Sequence, residues 1–157
     1  MYRKKNFLSL GMSLVLAAGI TVTPVTAADF VYAWLKQMSA DATNGYSFIM
    51  TDYIVNGQEY NEGSVEASEV GVKAVDDQTL EVQLKSPTPY FLNLTTMDMF
   101  FPVNEAFCEE QGTNFALSPD TMLYCGPYVI TDYDPAVGVT FAKNDNYWDK
   151  DNVAIED

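Results

Sequence analysis

At 157 residues, 48% hydrophobic and 13% aromatic, the chain has material for one domain with a sizeable core and too little for two large ones. After the first 23 residues, 22 acids face five lysines and no arginine, so phosphate backbones and anionic lipid heads are repelled and nucleic acid is a poor partner. The chain has no histidine, which excludes Ser–His and Cys–His nucleophile pairs, histidine-ligated zinc and imidazole proton shuttling.

The chain opens on MYRKK, a cationic patch, followed by the uncharged run FLSLGMSLVLAAGI. That run fits the apolar core of a secretion signal and is too short to span a membrane. Residues 1–23 therefore read as a signal-peptide-like leader and 24–157 as the folded part. LAAG, Leu16 to Gly19, begins like a lipoprotein box, but Ile20 stands where the lipid-bearing cysteine belongs. Cleavage after Gly19 competes with cleavage after Ala27, and an uncleaved N-terminal helix is the bland alternative.

Thr26 and Asp29 stand three apart before an apolar run, the spacing of a capping box, with Val25 and Phe30 at the staple positions. Phe30, Val31, Trp34, Leu35 and Met38 then share one face, which predicts an amphipathic helix over about 27–38. A cut after Ala27 would remove Thr26 and about 1 kcal/mol of capping. The Gly19 site keeps the cap and is the favoured expectation.

From Ala40 to Gly63 only a short helix is suggested, around Tyr46, Phe48, Ile49, Tyr53 and Ile54. In GVKAVDDQTLEVQL, Val72 and Ala74, then Leu80, Val82 and Leu84, alternate on either side of DDQ, which predicts a hairpin with Asp76 and Asp77 in its turn. A short helix is expected just after Pro89, an extended piece ends at Pro102, and a helix from Asn104 stops at Gly112. GPYVITDYDPAVGVTFAKN gives two further strands joined around Asp134, Pro135 and Gly138. Short helices and β-hairpins without βα alternation indicate an α+β fold.

Catalytic vocabulary is poor: no glycine-rich phosphate loop is present, and acidic pairs are too numerous for any one to be marked as shielded. Neither a catalytic residue nor a cofactor is nominated, and the chain is expected not to be an enzyme. KNDNYWDKDN has the oxygen density of a calcium loop but lacks the glycine and the distal glutamate, so a solvated turn is the better reading and no metal site is expected. Asn93-Leu94-Thr95 matches a glycosylation acceptor, a common chance match. Cys108 and Cys125 either pair outside the cell or remain buried or unpaired thiols. What remains is an abundance of aromatics, most of them core, with tyrosines suited to a cleft that grips peptides or sugars.

Six segments in order, PVTAADFVYAW, GVKAVDDQTLEVQL, SPTPYFLNL, FFPV, CGPYVI and KNDNYWD, resemble the oligopeptide- and dipeptide-binding proteins of bacterial ABC importers, the family 5 extracellular solute-binding proteins. The resemblance implies an exported receptor, not an enzyme, whose two lobes close on a peptide or other small solute and deliver it to a membrane permease. Family members are considerably longer. The resemblance therefore implies a fragment of a two-lobed periplasmic-binding-protein clamshell, covering mainly the accessory region and the start of the base lobe, located in the periplasm or on the outer face of the membrane. A lone fragment is expected to bind weakly, because closure of two lobes buries the ligand.

One ligand contact carries over from the resemblance: Tyr46 in TNGYSF occupies the place of a tyrosine presented to the bound peptide, although Gly45 stands where a proline often precedes it. The competing reading has Tyr46 packing under its own loop. The different-class alternative is a small secreted module whose acidic aromatic surface binds a protein or glycan. Apolar surface on the hairpins and at Phe100 and Phe101 is expected to face parts of the receptor beyond this chain, leaving a marginal, association-prone fold.

Overall fold

The computed structural model describes residues 13–14, 23–42 and 45–155. Two compact units are formed, one from residues 26–105 and one from 106–155 with 13–14 and 23–25. Most of the expected leader, including the Gly19 cleavage position, lies outside the described residues. β1 (Ser13–Leu14) pairs antiparallel with β2 (Thr23–Pro24), which crosses the expected end of the leader.

In the first unit, α1 spans Ala27–Met38, as its apolar periodicity predicts. Both halves of the capping box form. The Thr26 amide donates to Asp29 Oδ2 at 2.7 Å and the Thr26 hydroxyl donates to the same oxygen at 3.0 Å. Asp29 is buried, and Asn104 Nδ2 donates to its other oxygen at 3.2 Å, so the cap also ties α1 to the segment before the last helix. At the far end Asn61 Nδ2 donates to the carbonyls of Met38 and Ser39, satisfying acceptors that a helix C-terminus leaves open.

The hairpin forms from β3 (Val72–Asp76) and β4 (Thr79–Val82), pairing Val72 with Val82 and Ala74 with Leu80. Helix α1 packs on it. Met38, Met50, Ile54 and Val70 are completely buried between these elements, joined by Trp34, Phe91 and Phe100. The poorly patterned stretch resolves into two short helices, α2 (Phe48–Thr51) and α3 (Gly57–Asn61), and α4 (Phe91–Leu94) follows Pro89 as expected.

The turn of the hairpin is held by Asp76, whose carboxylate accepts from the Gln78 amide at 2.8 Å and the Thr79 hydroxyl at 3.0 Å. The Gln78 bond first, then the Thr79 hydroxyl, hold this carboxyl below its ordinary value. A lowered folded pKa means the stabilisation is complete above the unfolded value of about 3.9 and is lost as pH falls through the folded one. The Gln78 amide proton shift is therefore expected to titrate with a midpoint below about 3.9, and Asp76→Ala to abolish that titration. An NMR midpoint at or above the unfolded value would contradict the bond pattern.

In the second unit, α5 (Glu105–Gln111) ends where Gly112 takes a positive φ of 53°. Phe107 and Cys108 are its buried face, with Phe107 edge-on to Phe115 at 6.3 Å. Strands β5 (Tyr128–Asp134) and β6 (Gly138–Lys143) pair Ile130 with Phe141 and Tyr133 with Val139, so these four share one apolar face. Tyr133, Val139 and Phe141 are exposed, as is Phe101 of the first unit, and this meets the expectation of uncovered apolar surface. Phe100 corrects it: at 1% exposure it belongs to the core of this chain. No disulfide joins Cys108 and Cys125, and burial pushes the Cys125 thiol up, away from the reactive thiolate.

Candidate functional site

Tyr46 sits in the turn leading into α2, whose far side is anchored by the buried Met50, Thr51 and Ile54. A single turn of helix is too short to hold itself in water, so its position is set by those buried residues. The residues on its open side are consequently presented outward. Tyr46 is 60% exposed and Phe48 53%, with ring centroids 6.5 Å apart and planes tilted by 37°. The reading in which Tyr46 packs beneath its loop does not match this exposure.

Asp52 caps α2, and its amide donates to the Phe48 carbonyl at 3.1 Å. Phe48 and Asp52 are thus four residues apart on one helical face. Beside them Tyr53 meets Tyr90 edge to face at 5.9 Å, with the Tyr90 hydroxyl donating to that of Tyr53 at 3.5 Å. The neighbouring Tyr90 hydroxyl first, then burial and the Asp52 carboxylate, raise the Tyr53 phenol above its ordinary value, so it stays neutral and available as donor and acceptor. The surface offers flat apolar rings, phenolic hydroxyls and a carboxylate, a chemistry for gripping rather than for bond breaking.

A separate hollow of 230 Å³ lies in the second unit, lined by Pro127, Lys143, Asn144, Asp145, Lys150, Asp151 and Val153. Its lysines already donate to backbone carbonyls, Lys143 to Val153 at 2.9 Å and Lys150 to Asp145 at 3.1 Å. Tyr46 is not among its lining residues. Asn144, part of the stretch read as a solvated turn, is 3% exposed and knots that turn by donating to the Gly126 carbonyl at 2.9 Å while accepting from the Asn146 amide. Sequence reasoning gave neither Phe48 nor Asp52 a role in a site; their i, i+4 spacing was the available signal.

These features belong to a recognisable class. The sequence profile described as bacterial extracellular solute-binding proteins, family 5 middle, matches residues 22–157, and the chain belongs to that extracytoplasmic family. Among curated relatives, it is 40% identical to the dipeptide-binding protein DppE of Bacillus subtilis (strain 168) over 134 residues, 85% of this chain and 24% of the relative. It is 37% identical to the oligopeptide-binding protein OppA of the same strain, with the same shares of each chain covered. Among solved structures, it superposes on the substrate-binding domain of an oligopeptide ABC transporter from Bacillus anthracis str. Ames with a TM-score of 0.79 at 44% identity, covering 83% of this chain and 25% of that one. Listeria monocytogenes OppA bound to peptide gives a TM-score of 0.74 at 41% identity, covering 83% and 26%. The chain spans about a quarter of the length of the curated relatives it matches. Its short helices and antiparallel hairpins are a fragment of their two-lobed fold.

Proposed function

We propose that this chain is part of the peptide-binding component of a bacterial ABC importer, with residues 24–157 as a partial solute-binding domain that hands its ligand to a membrane permease. The printed functions of DppE and OppA, at 40% and 37% identity, carry this reading. Tyr46 is the residue assigned to the ligand. Its support is the exposed position beside the Phe48 ring, on the turn that leads into α2.

Isothermal calorimetry with a mixed di- to pentapeptide library tests both. The chain is exchanged for the matching quarter of DppE, and the chimera is compared with the chain alone. Heat is expected from the chimera and little from the chain. In the chimera Tyr46→Ala is expected to weaken binding about tenfold, the scale of one aromatic anchor, with the melting temperature unchanged because the ring is exposed. A folded chimera that ignores every peptide would end the transport reading; a folded Tyr46→Ala chimera with undiminished affinity would end the residue assignment.

Export by the N-terminal leader is part of the same proposal. The Ala27 amide donates to the Asp77 carbonyl at 2.9 Å and Thr26 caps α1, so cleavage after Ala27 would sacrifice both the cap and that α1–hairpin link. Cleavage after Gly19 spares them. N-terminal sequencing of secreted protein is expected to begin at Ile20, and a start at Ala28 would refute it.

A further inference from the structure

We propose that Asn56-Gly57 is a latent self-modification site: the folded first unit holds the pair unreactive, and opening of the turn between α2 and α3 commits Asn56 to isoaspartate. The inference does not depend on the peptide-binding reading.

An Asn-Gly pair modifies itself because glycine has no Cβ to shield its own amide nitrogen. The Gly57 nitrogen gives its proton to solvent and attacks Asn56 Cγ. The N–Cγ bond forms, the Cγ–Nδ2 bond breaks, and Nδ2 leaves as ammonia with a proton taken from solvent. Water then opens the succinimide ring at either carbonyl. Opening at Cγ leaves aspartate; opening at the backbone carbonyl leaves isoaspartate, whose main chain runs through Cγ and is one carbon longer.

The native turn blocks the first step in three ways. The ring is nearly flat, so the Gly57 nitrogen has to eclipse Asn56 Cβ about the Cα–C bond. Asn56 instead takes φ 59° and ψ 11°, a left-handed conformation that asparagine tolerates, and at that ψ the Gly57 nitrogen eclipses the nitrogen of Asn56 itself. The Gly57 amide proton is also engaged, donated to the Ile54 carbonyl at 3.0 Å. The electrophile is held as well, since Asn56 Nδ2 donates to the Glu69 carbonyl at 2.8 Å.

Rotation about the Cα–C bond reaches beyond the turn. The Asn56 carbonyl accepts from the Tyr60 amide at 2.9 Å, a bond of the first turn of α3 that this rotation breaks. Gly57 is buried, and a Cβ there would stand 2.9 Å from Thr51 Cα and 3.3 Å from Met38 Sδ, so this backbone is seated directly on α2 and α1. Reactive geometry therefore requires α3 to leave its seat. Isoaspartate then keeps it out, because a turn this close to Thr51 has no room for an extra backbone carbon and the donor to Glu69 is gone.

The test incubates the whole 157-residue chain in mildly alkaline buffer, folded and in denaturing urea, and follows residue 56 by peptide mapping with mass spectrometry. Asn44-Gly45, the other Asn-Gly pair in the sequence, is the internal standard for the rate in urea. Conversion of Asn56 in the folded chain is expected to be at least about 100-fold slower than in urea, equivalent to about 2.8 kcal/mol of local opening. Ile54→Ala removes a completely buried side chain beside the turn without altering the pair. It is expected to lower the melting temperature and to speed conversion in buffer at least about tenfold, or to the urea rate if the variant does not fold. Equal rates in folded and unfolded chain overturn the shielding. A lower melting temperature for Ile54→Ala with unchanged conversion overturns the gating by opening. In an Asn44→Gln background, chain converted at residue 56 and returned from urea to buffer is expected to melt below unconverted chain carried through the same exchange. Equal melting temperatures overturn the claim that isoaspartate keeps α3 out of its seat.

Discussion

Trp34→Ala is expected to destabilise the first unit by about 3–5 kcal/mol, a large share of the stability of a domain this size. The indole is 3% exposed and meets Phe100 edge to face at 5.1 Å; Phe100 in turn meets Phe91 at 6.1 Å. Truncation removes one end of this aromatic chain and leaves a cavity that Met38 and Ile54, themselves completely buried, cannot collapse to fill. It also removes the Trp34 Nε1 donor, 2.9 Å from the Phe100 carbonyl, stranding a buried acceptor. Trp34→Phe keeps a ring and loses the donor, so it is expected to cost roughly half as much. Urea unfolding followed by far-ultraviolet circular dichroism measures both. A loss below about 1 kcal/mol for the alanine variant would mean that the aromatic chain is not the centre of the core.

Gly71→Ala has the second largest expected effect, at about 3 kcal/mol, the upper range for overpacking. A Cβ at Gly71 would stand 2.7 Å from the Gln83 carbonyl oxygen and 3.0 Å from Val55 Cβ. Neither neighbour is free to move, because three strands of chain are locked here. The Gly71 amide donates to Val55 at 2.8 Å, the Gln83 amide to Gly71 at 2.7 Å, and the Val55 amide to Gln83 at 3.0 Å. Relieving the clash means stretching at least one of these bonds. Gly45→Ala is the control, since its Cβ would meet nothing within 4 Å, and it is expected to be neutral within about 0.5 kcal/mol. Hydrogen exchange at the Val55 and Gln83 amides reports the difference directly. Unchanged protection in Gly71→Ala would show that the junction accommodates the methyl group.

The elements that could be read from residues are those whose signal is local. Helix α1 carries its cap, its acidic first turn and its apolar face within the stretch from Thr26 to Met38, and it forms over Ala27–Met38. Both hairpins carry alternation and turn residues together, and Asp76 does in the turn what its side chain does in any short turn. Of helices α2 and α3 only the first was suggested, as a short helix around Tyr46 to Ile54, because four and five residues are too few to show a helical period. They persist because Met50, Ile54 and Gly57 fit against α1 and the hairpin, a condition set by residues remote in sequence.

The aromatic residues divide along the same line. Phe100 and Phe101 are neighbours of identical type, yet one is 1% exposed and the other 55%. No composition or spacing rule separates them; the turn that starts at Asp98 points one ring at Trp34 and the other outward. The match of Tyr46 to a ligand contact came from resemblance, whereas the exposure of Phe48 beside it came from the fold.

By itself, then, the sequence determined the α+β class, the boundaries of α1 and the hairpins, the exclusion of histidine chemistry and the family pattern. Periodicity, capping and composition are properties of adjacent residues, so they are written in the chain. Which rings are core and which are surface, where Gly71 admits no side chain, and that Phe48 lies exposed beside Tyr46 were decided by tertiary structure. Each depends on segments brought together from different parts of the chain, or on a short helix held in place by a core it does not itself encode.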